Sequence, residues 1–216
     1  MNPIQAHLKK LDYPFCFDST FICSGVLVLI TNIDGIYHFV LQKRAKGISQ
    51  PGEISFPGGH YEKDIDANFL QTAIRETCEE IGTKKDNIRV FGQLETVASL
   101  KGDILFPFLA ELKSVDNLKP NKKETEKIIL APISHFRLNS PEKYSVISEI
   151  KSFEVIDGEK VDTFPAKKIG LPRKYHVSWS KTRHPIYLFR YKNSIIWGMT
   201  ARLIMNFLDK TNSIIF

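Results

Sequence analysis

Glu76, Glu79 and Glu80 stand at i, i+3 and i+4 in the segment Arg75-Glu-Thr-Cys-Glu-Glu-Ile-Gly82. On an α-helix that spacing gathers three carboxylates into an arc of about 100°. Like charges crowded this way repel, so the arrangement costs stability unless something positive offsets it. Hard divalent cations such as Mg²⁺ or Mn²⁺ take carboxylate oxygens from such clusters and usually bridge them to phosphates. The alternative is a solvated acidic helix face, and the three glutamates alone favour that plainer reading. Upstream lies Phe56-Pro-Gly-Gly59, whose glycines let backbone approach a ligand without Cβ obstruction.

The elements that must hold these residues are legible as patterns. A helix is predicted over about 66–81, stopped by Gly82 as the residue just past its end. Phe69, Ala73, Thr77 and Ile81, with Leu70, Ile74 and Cys78, make one continuous buried face, and the glutamates border it. Before it, residues 22–30 and 36–42 read as β-strands joined at Asp34-Gly35, a hairpin signal. Strand-like runs return at 88–97, 104–112 and 126–135, and Pro107 places the second of these at an edge or a bulge. Residues 139–185 alternate short β-pieces, at 144–147 and 153–156, with turn signals at Asp157-Gly158, Gly170-Leu-Pro172 and His184-Pro185. Strands at 186–191 and 194–197 lead into a closing helix at about 198–209, where Ala201, Ile204, Met205 and Leu208 repeat at helical spacing. Many strands with two helices indicate a mixed α/β or α+β sandwich. One domain over 1–216 is expected, with an N-terminal extension at 1–20 and an elaborated insertion at about 139–185.

Composition narrows the class. The chain has 216 residues, of which 43% are hydrophobic and 25% charged, an ordinary globular balance. Three cysteines (Cys16, Cys23 and Cys78) with no CxxC pair suit neither a disulfide framework nor a structural zinc site. No apolar run is long enough to span a bilayer, and the N-terminal residues carry no signal-peptide core. A soluble protein of a reducing compartment, the cytoplasm, is the expectation, with no membrane partner. The net charge of +6 is uneven: between Asp162 and Asp209 there are nine basic residues and no acid, which leaves −3 for the remainder. A polyanionic partner would suit that stretch; a solvated basic surface is the plainer reading. Tyr175 and Trp179 interleave with cations as in an RNA-binding patch, though pinning a long loop to the body of the domain is favoured. Trp197 is expected to pack the last helix on the sheet, Cys78 to lie in the core, and His184 to be a turn residue.

Gly59 with Arg75-Glu76-Thr-Cys-Glu79-Glu80-Ile-Gly82 resembles the Nudix box, the signature of enzymes that hydrolyse a nucleoside diphosphate linked to another moiety. Leu41-Gln-Lys-Arg44 with Pro51-Gly-Glu-Ile-Ser-Phe-Pro-Gly-Gly59 is similar to the extended motif of the coenzyme A pyrophosphatase branch. Leu118-Lys-Pro-Asn121-Lys-Lys-Glu124 and Ile196-Trp-Gly-Met-Thr-Ala201 resemble two further segments of that branch. The likeness departs at Ala67, where the box usually opens with glutamate, and at Gln50, where the branch usually has histidine.

The resemblance implies a Nudix-type α/β/α sandwich with a mixed central sheet. It further implies Mg²⁺ or Mn²⁺ on Glu76, Glu79 and Glu80, with Arg75 holding a metal-ligating glutamate. Glu79 or Glu124 would take a proton from the attacking water. Arg44, Gly58 and Gly59 are the candidates for contact with substrate. Coenzyme A or acyl-coenzyme A is the leading substrate, giving 3′,5′-ADP and 4′-phosphopantetheine; ADP-ribose, NADH or a capped RNA end is the alternative. A catalytically weak domain that binds nucleotide or RNA is a third reading, with nucleic acid the less favoured partner. Lys167, Lys168, Arg173 and Lys174 are candidates for the 3′-phosphate of coenzyme A. The insertion is a lid, a specificity loop or a dimer contact, so a homodimer stays open.

Overall fold

Strand β1 (Ile22–Ile33) is buried without a break from residue 24 to 31 in the computed structural model, which describes residues 21–212. A strand is buried so only when both of its faces are covered. Its alternate side chains feed two cores. Val26, Val28 and Ile30 join Phe39 and Leu41 on one face, while Leu27 and Leu29 join Val40 on the other. Strand β2 (Ile36–Arg44) returns antiparallel through Asp34 and Gly35, both at positive φ (51° and 84°), the backbone of a tight two-residue hairpin.

The main sheet has eight strands. Along its path run β3 (Ile54–Ser55), β2, β1, β7 (Asp103–Leu112) and β5 (Ile88–Gln93). Off the path, β4 (Gly58–His60) pairs with β1, β6 (Val97–Ala98) with β7, and β8 (Thr125–Pro132) with β2. Strands β1 and β7 are parallel and the other pairs antiparallel, so the sheet is mixed, as expected. Helix α1 (Phe69–Ile81) covers one face through Phe69, Ala73 and Ile81. The short α2 (Ile133–Leu138) and α3 (Gly198–Lys210) cover the other through Ile133, Phe136, Ala201, Leu203, Ile204 and Phe207. This is the expected α/β/α layering.

Several local expectations change. The run at 126–135 ends as a strand at Pro132, and its last residues open α2. Helix α1 starts at Phe69 rather than near residue 66, because Asn68 is an extended N-cap whose side chain accepts the Gln71 N–H at 3.0 Å. Pro107 sits in an interior strand, not at an edge. Its missing N–H falls between the stretches of β7 paired by β5 and by β6, where its carbonyl accepts the Leu94 N–H at 2.9 Å.

Residues 142–197 form small sheets of their own. Strand β9 (Glu142–Ile150) pairs with β12 (Trp179–Tyr191), which pairs with β13 (Ser194–Trp197), and β10 (Phe153–Ile156) and β11 (Glu159–Asp162) form a hairpin. His184 and Pro185 lie inside β12 rather than in a turn. Trp179 packs on Tyr175 and Phe164, so these aromatics tie the insertion to itself. Trp197 is 44% exposed and forms the extended residue ahead of α3 instead of filling the core. Among the described residues no helix is long and apolar enough to cross a membrane. Cys16 and the extension at 1–20 lie outside the described residues.

Candidate active site: a glutamate helix against a glycine strand

Three glycines bring α1 and β4 together. At Gly25 a Cβ would come within 2.0 Å of the Phe69 carbonyl oxygen, so the start of α1 rests directly on β1. At Gly58, with φ 150°, a Cβ would lie 2.4 Å from the Gly25 carbonyl oxygen. At Gly59 it would lie 2.3 Å from the Glu76 carboxyl carbon. Only chains lacking Cβ allow this stacking. The space that these two loop glycines vacate is taken by β1 and by Glu76.

The glutamates of α1 are not equivalent. The helix buries Phe69, Thr72, Ala73, Thr77, Glu80 and Ile81, a face rotated toward the glutamates relative to the periodicity reading. Thr72 therefore replaces Leu70 and Ile74 in the buried set, and Cys78 is only partly buried. Glu80 lies in the middle of this face, 4% exposed, and its Oε2 accepts the Gly58 N–H at 2.9 Å. Burial pushes its carboxyl up to about 7, against the pull of that hydrogen bond. Glu76 is half-buried over Gly59, and burial raises its carboxyl too, with the charges of Glu79 and Glu124 adding to the rise. Glu79 has a side chain that is 56% exposed. Among the described residues no three acidic, histidine or cysteine side chains converge on one point.

Arg75 is held from two sides. Its Nε and Nη2 donate to the two carboxylate oxygens of Asp66 at 3.0 and 2.9 Å, a forked pair. Its Nη1 donates to Glu76 Oε1 at 2.7 Å, and Glu79 and Glu62 stand 3.6 Å from the guanidinium. The expected link from Arg75 to a cluster glutamate is therefore present, on Glu76. Asp66 is an anchor that sequence reading passed over as a neighbour of Ala67. It is buried, accepts the Thr72 hydroxyl at 2.9 Å, and the Arg75 hydrogen bonds hold its carboxyl down to about 2. The signal was an aspartate just ahead of the helix and nine residues before an arginine.

The loop bearing Glu124 docks on the C-terminal end of α1. Gly82 adopts the left-handed conformation (φ 67°), and a Cβ there would meet the Lys119 carbonyl oxygen at 2.0 Å. The Asn121 N–H donates to the Glu80 carbonyl at 3.0 Å, and the Ala45 N–H donates to that of Glu124 at 2.8 Å. Glu124 thus lies within electrostatic reach of Glu76. Gln42, fully buried on β2, was not singled out by its residue type. Its Oε1 accepts the Thr125 hydroxyl at 2.6 Å, and its amide stands by Glu80 and draws that carboxyl downward. Nε2 falls short of hydrogen-bonding geometry. Arg44 acts on Glu80 through its charge, while its guanidinium donates to the Ser49 carbonyl at 2.9 Å. Lys167, Lys168, Arg173 and Lys174 are exposed, and no described hydrogen bond or ion pair joins them to the cluster.

The donor chemistry fits a hard divalent cation. Burial raises the carboxyls of Glu76 and Glu80, the two flank a glycine cradle, and Glu124 adds a third carboxylate charge nearby. A cation there would favour the ionised carboxylates against the burial that now raises both groups.

Residues 23–149 match the NUDIX domain family. The chain is 24% identical over 155 residues to the Nudix hydrolase NudL of Pectobacterium atrosepticum, covering 71% of this chain and 64% of that one. It is 28% identical over 126 residues to the mitochondrial coenzyme A diphosphatase NUDT8 of Homo sapiens, covering 56% and 53%. Across such curated relatives the aligned stretch spans between 47% and 67% of their length. The crystal structure of a MutT/nudix family protein from Enterococcus faecalis superposes on 99% of this chain and 70% of its own, with a TM-score of 0.52 at 11% identity, a likeness of fold.

Proposed function

The chain belongs to the Nudix family, and on that premise we propose a divalent-metal-dependent hydrolase that cleaves the diphosphate bridge of coenzyme A or acyl-coenzyme A. The products are 3′,5′-ADP and 4′-phosphopantetheine or its acyl form. The observation that carries the reading is the arrangement of Glu76 and Glu80 against the Gly58–Gly59 strand, locked from behind by Arg75 and Asp66. Relatives named as coenzyme A diphosphatases support the choice of substrate.

Glu76, Glu79 and Glu80 would hold Mg²⁺ or Mn²⁺, which when bound supplies charge neutralisation to the phosphates and acidifies water. The chain's own residues do the rest. Arg75 fixes the Glu76 carboxylate in one orientation, and its permanent charge opposes the rise that burial gives that carboxyl. Glu124, or Glu79 from the exposed side, accepts the proton as water oxygen bonds to phosphorus and the bridging P–O bond breaks. Gly58 and Gly59 act by admitting the carboxylates to the backbone, and Arg44 supplies positive charge beside Glu80 for a substrate phosphate.

The test is purified protein with Mn²⁺ assayed on coenzyme A, NADH and ADP-ribose, beside Glu80→Gln. Release of 3′,5′-ADP from coenzyme A is expected, with kcat reduced roughly 100-fold or more in the variant. No product from any of the three removes the enzyme reading. Preference for NADH or ADP-ribose removes coenzyme A, and turnover untouched by Glu80→Gln removes the metal assignment.

A further inference from the structure

Strand β9 is the outer strand of the three-stranded sheet, and among the described residues it pairs only with β12. Edge strands of soluble proteins are normally blunted by proline, by a bulge, by charged side chains or by being very short, because an open ladder invites another strand. Strand β9 has no proline or bulge and is not short, and its charges (Glu142, Lys143 and Glu149) stand toward its two ends. It runs nine residues without proline, in unbroken register with β12 from Glu142 to Ser148. The irregularity beyond that point is carried by β12, where two residues stand between Thr182 and Trp179 against one on β9. The strand is also apolar where it is open: Tyr144 is 56% exposed, Val146 45%, Ile147 64% and Ile150 50%.

We propose that β9 is a self-association edge, pairing antiparallel with β9 of a second copy about a two-fold axis at Val146. Charge selects the occupant and the register. A two-fold axis normal to the sheet sets residues opposite partners on the same face, so the axis must pass through a residue. With the axis at Val146, Lys143 of each copy faces Glu149 of the other, giving two opposite-charge pairs on a carboxylate that Lys181 of β12 also meets at 3.3 Å. Tyr144 then faces Ser148, with Val146 of the partner diagonal to it. Moving the axis to Ile147 would oppose Lys143 with Lys151, a like-charge pair. Such pairing joins two small sheets into one of six strands and removes the exposed edge. The pairing rests on the sheet edge alone and does not depend on the chemistry of the carboxylates.

The experiment is light scattering on the full chain at micromolar concentration, with circular dichroism to confirm folding. The expected result is a dimer. Val146→Lys, which sets two lysines against each other at the axis, should give a folded monomer. Lys143→Glu should weaken the dimer at least tenfold, and Lys143→Glu with Glu149→Lys should restore it. Val146→Cys, on mild oxidation, should yield a covalent dimer that reductant reverses. A monomeric wild type overturns the proposal. So does a dimer that survives Val146→Lys and whose Val146→Cys form does not cross-link.

Discussion

Arg75 is the residue on which the geometry of the glutamates turns, and it is Asp66 that aims it. The forked pair occupies Nε and Nη2, leaving Nη1 for Glu76. Asp66→Asn keeps the shape but loses the charge, and kcat should fall roughly 10–100-fold, as is typical when the partner of a ligand is removed. Acid should show the same bond. The folded Asp66 carboxyl lies near 2, below its ordinary value of about 3.9, so the unfolded chain binds the proton first. The stability from this pair is therefore whole above about pH 4 and is lost as pH falls toward 2. Thermal melts over that window should show the wild type falling more steeply than Asp66→Asn; parallel curves would remove the pair's contribution. Gly59→Ala makes a separate case, because its new methyl would occupy the place of the Glu76 carboxyl. Activity should drop sharply while the melting temperature moves little, since the obstruction is a side-chain end rather than backbone.

At the scale of the element, α1 is set by its two ends. Asn68 caps the start, and Asn68→Ala should cost about 1 kcal/mol in denaturant unfolding. Gly82 carries a double requirement at the other end: left-handed backbone, and a close approach of the Lys119 carbonyl. Gly82→Ala should therefore cost more than the loss of the cap, roughly 2–3 kcal/mol, and should loosen the loop that presents Glu124. A loss no larger than that of Asn68→Ala would mean that the loop yields freely. The helix and its stop were legible because spacing and a terminal glycine are local signals. The rotation of its buried face was not. Leu70 and Ile74 pack on the margin of the core, while Thr72 and Glu80 are buried within it, since β4 brings backbone donors and glycines to that side.

Over the whole molecule, a sandwich built on β1 gathers residues 42, 58–59, 66, 75–80 and 124 from five stretches of the chain. Adding Mn²⁺ should stabilise such a convergence, by about 2.7 kcal/mol at 100 times the dissociation constant. The melting temperature should rise by several degrees in the wild type and stay fixed in Glu76→Gln with Glu80→Gln. An equal rise in both would place the ion elsewhere. The basic stretch, by contrast, is spread over exposed positions, with Lys167, Lys168, Arg173 and Lys174 all open to solvent.

What the sequence determined by itself was the order of the long strands and of the two long helices, the hairpin at Asp34-Gly35, the stop at Gly82 and the spacing of three glutamates. All are written within a few residues of chain, where periodicity and backbone preference act. Only the tertiary structure decided that Glu80 is buried while Glu79 is exposed, that Asp66 holds Arg75 in a forked pair, and that Gln42 stands beside the cluster. Those outcomes depend on which backbone lies within hydrogen-bonding distance, and packing between segments far apart in the chain is what sets that distance.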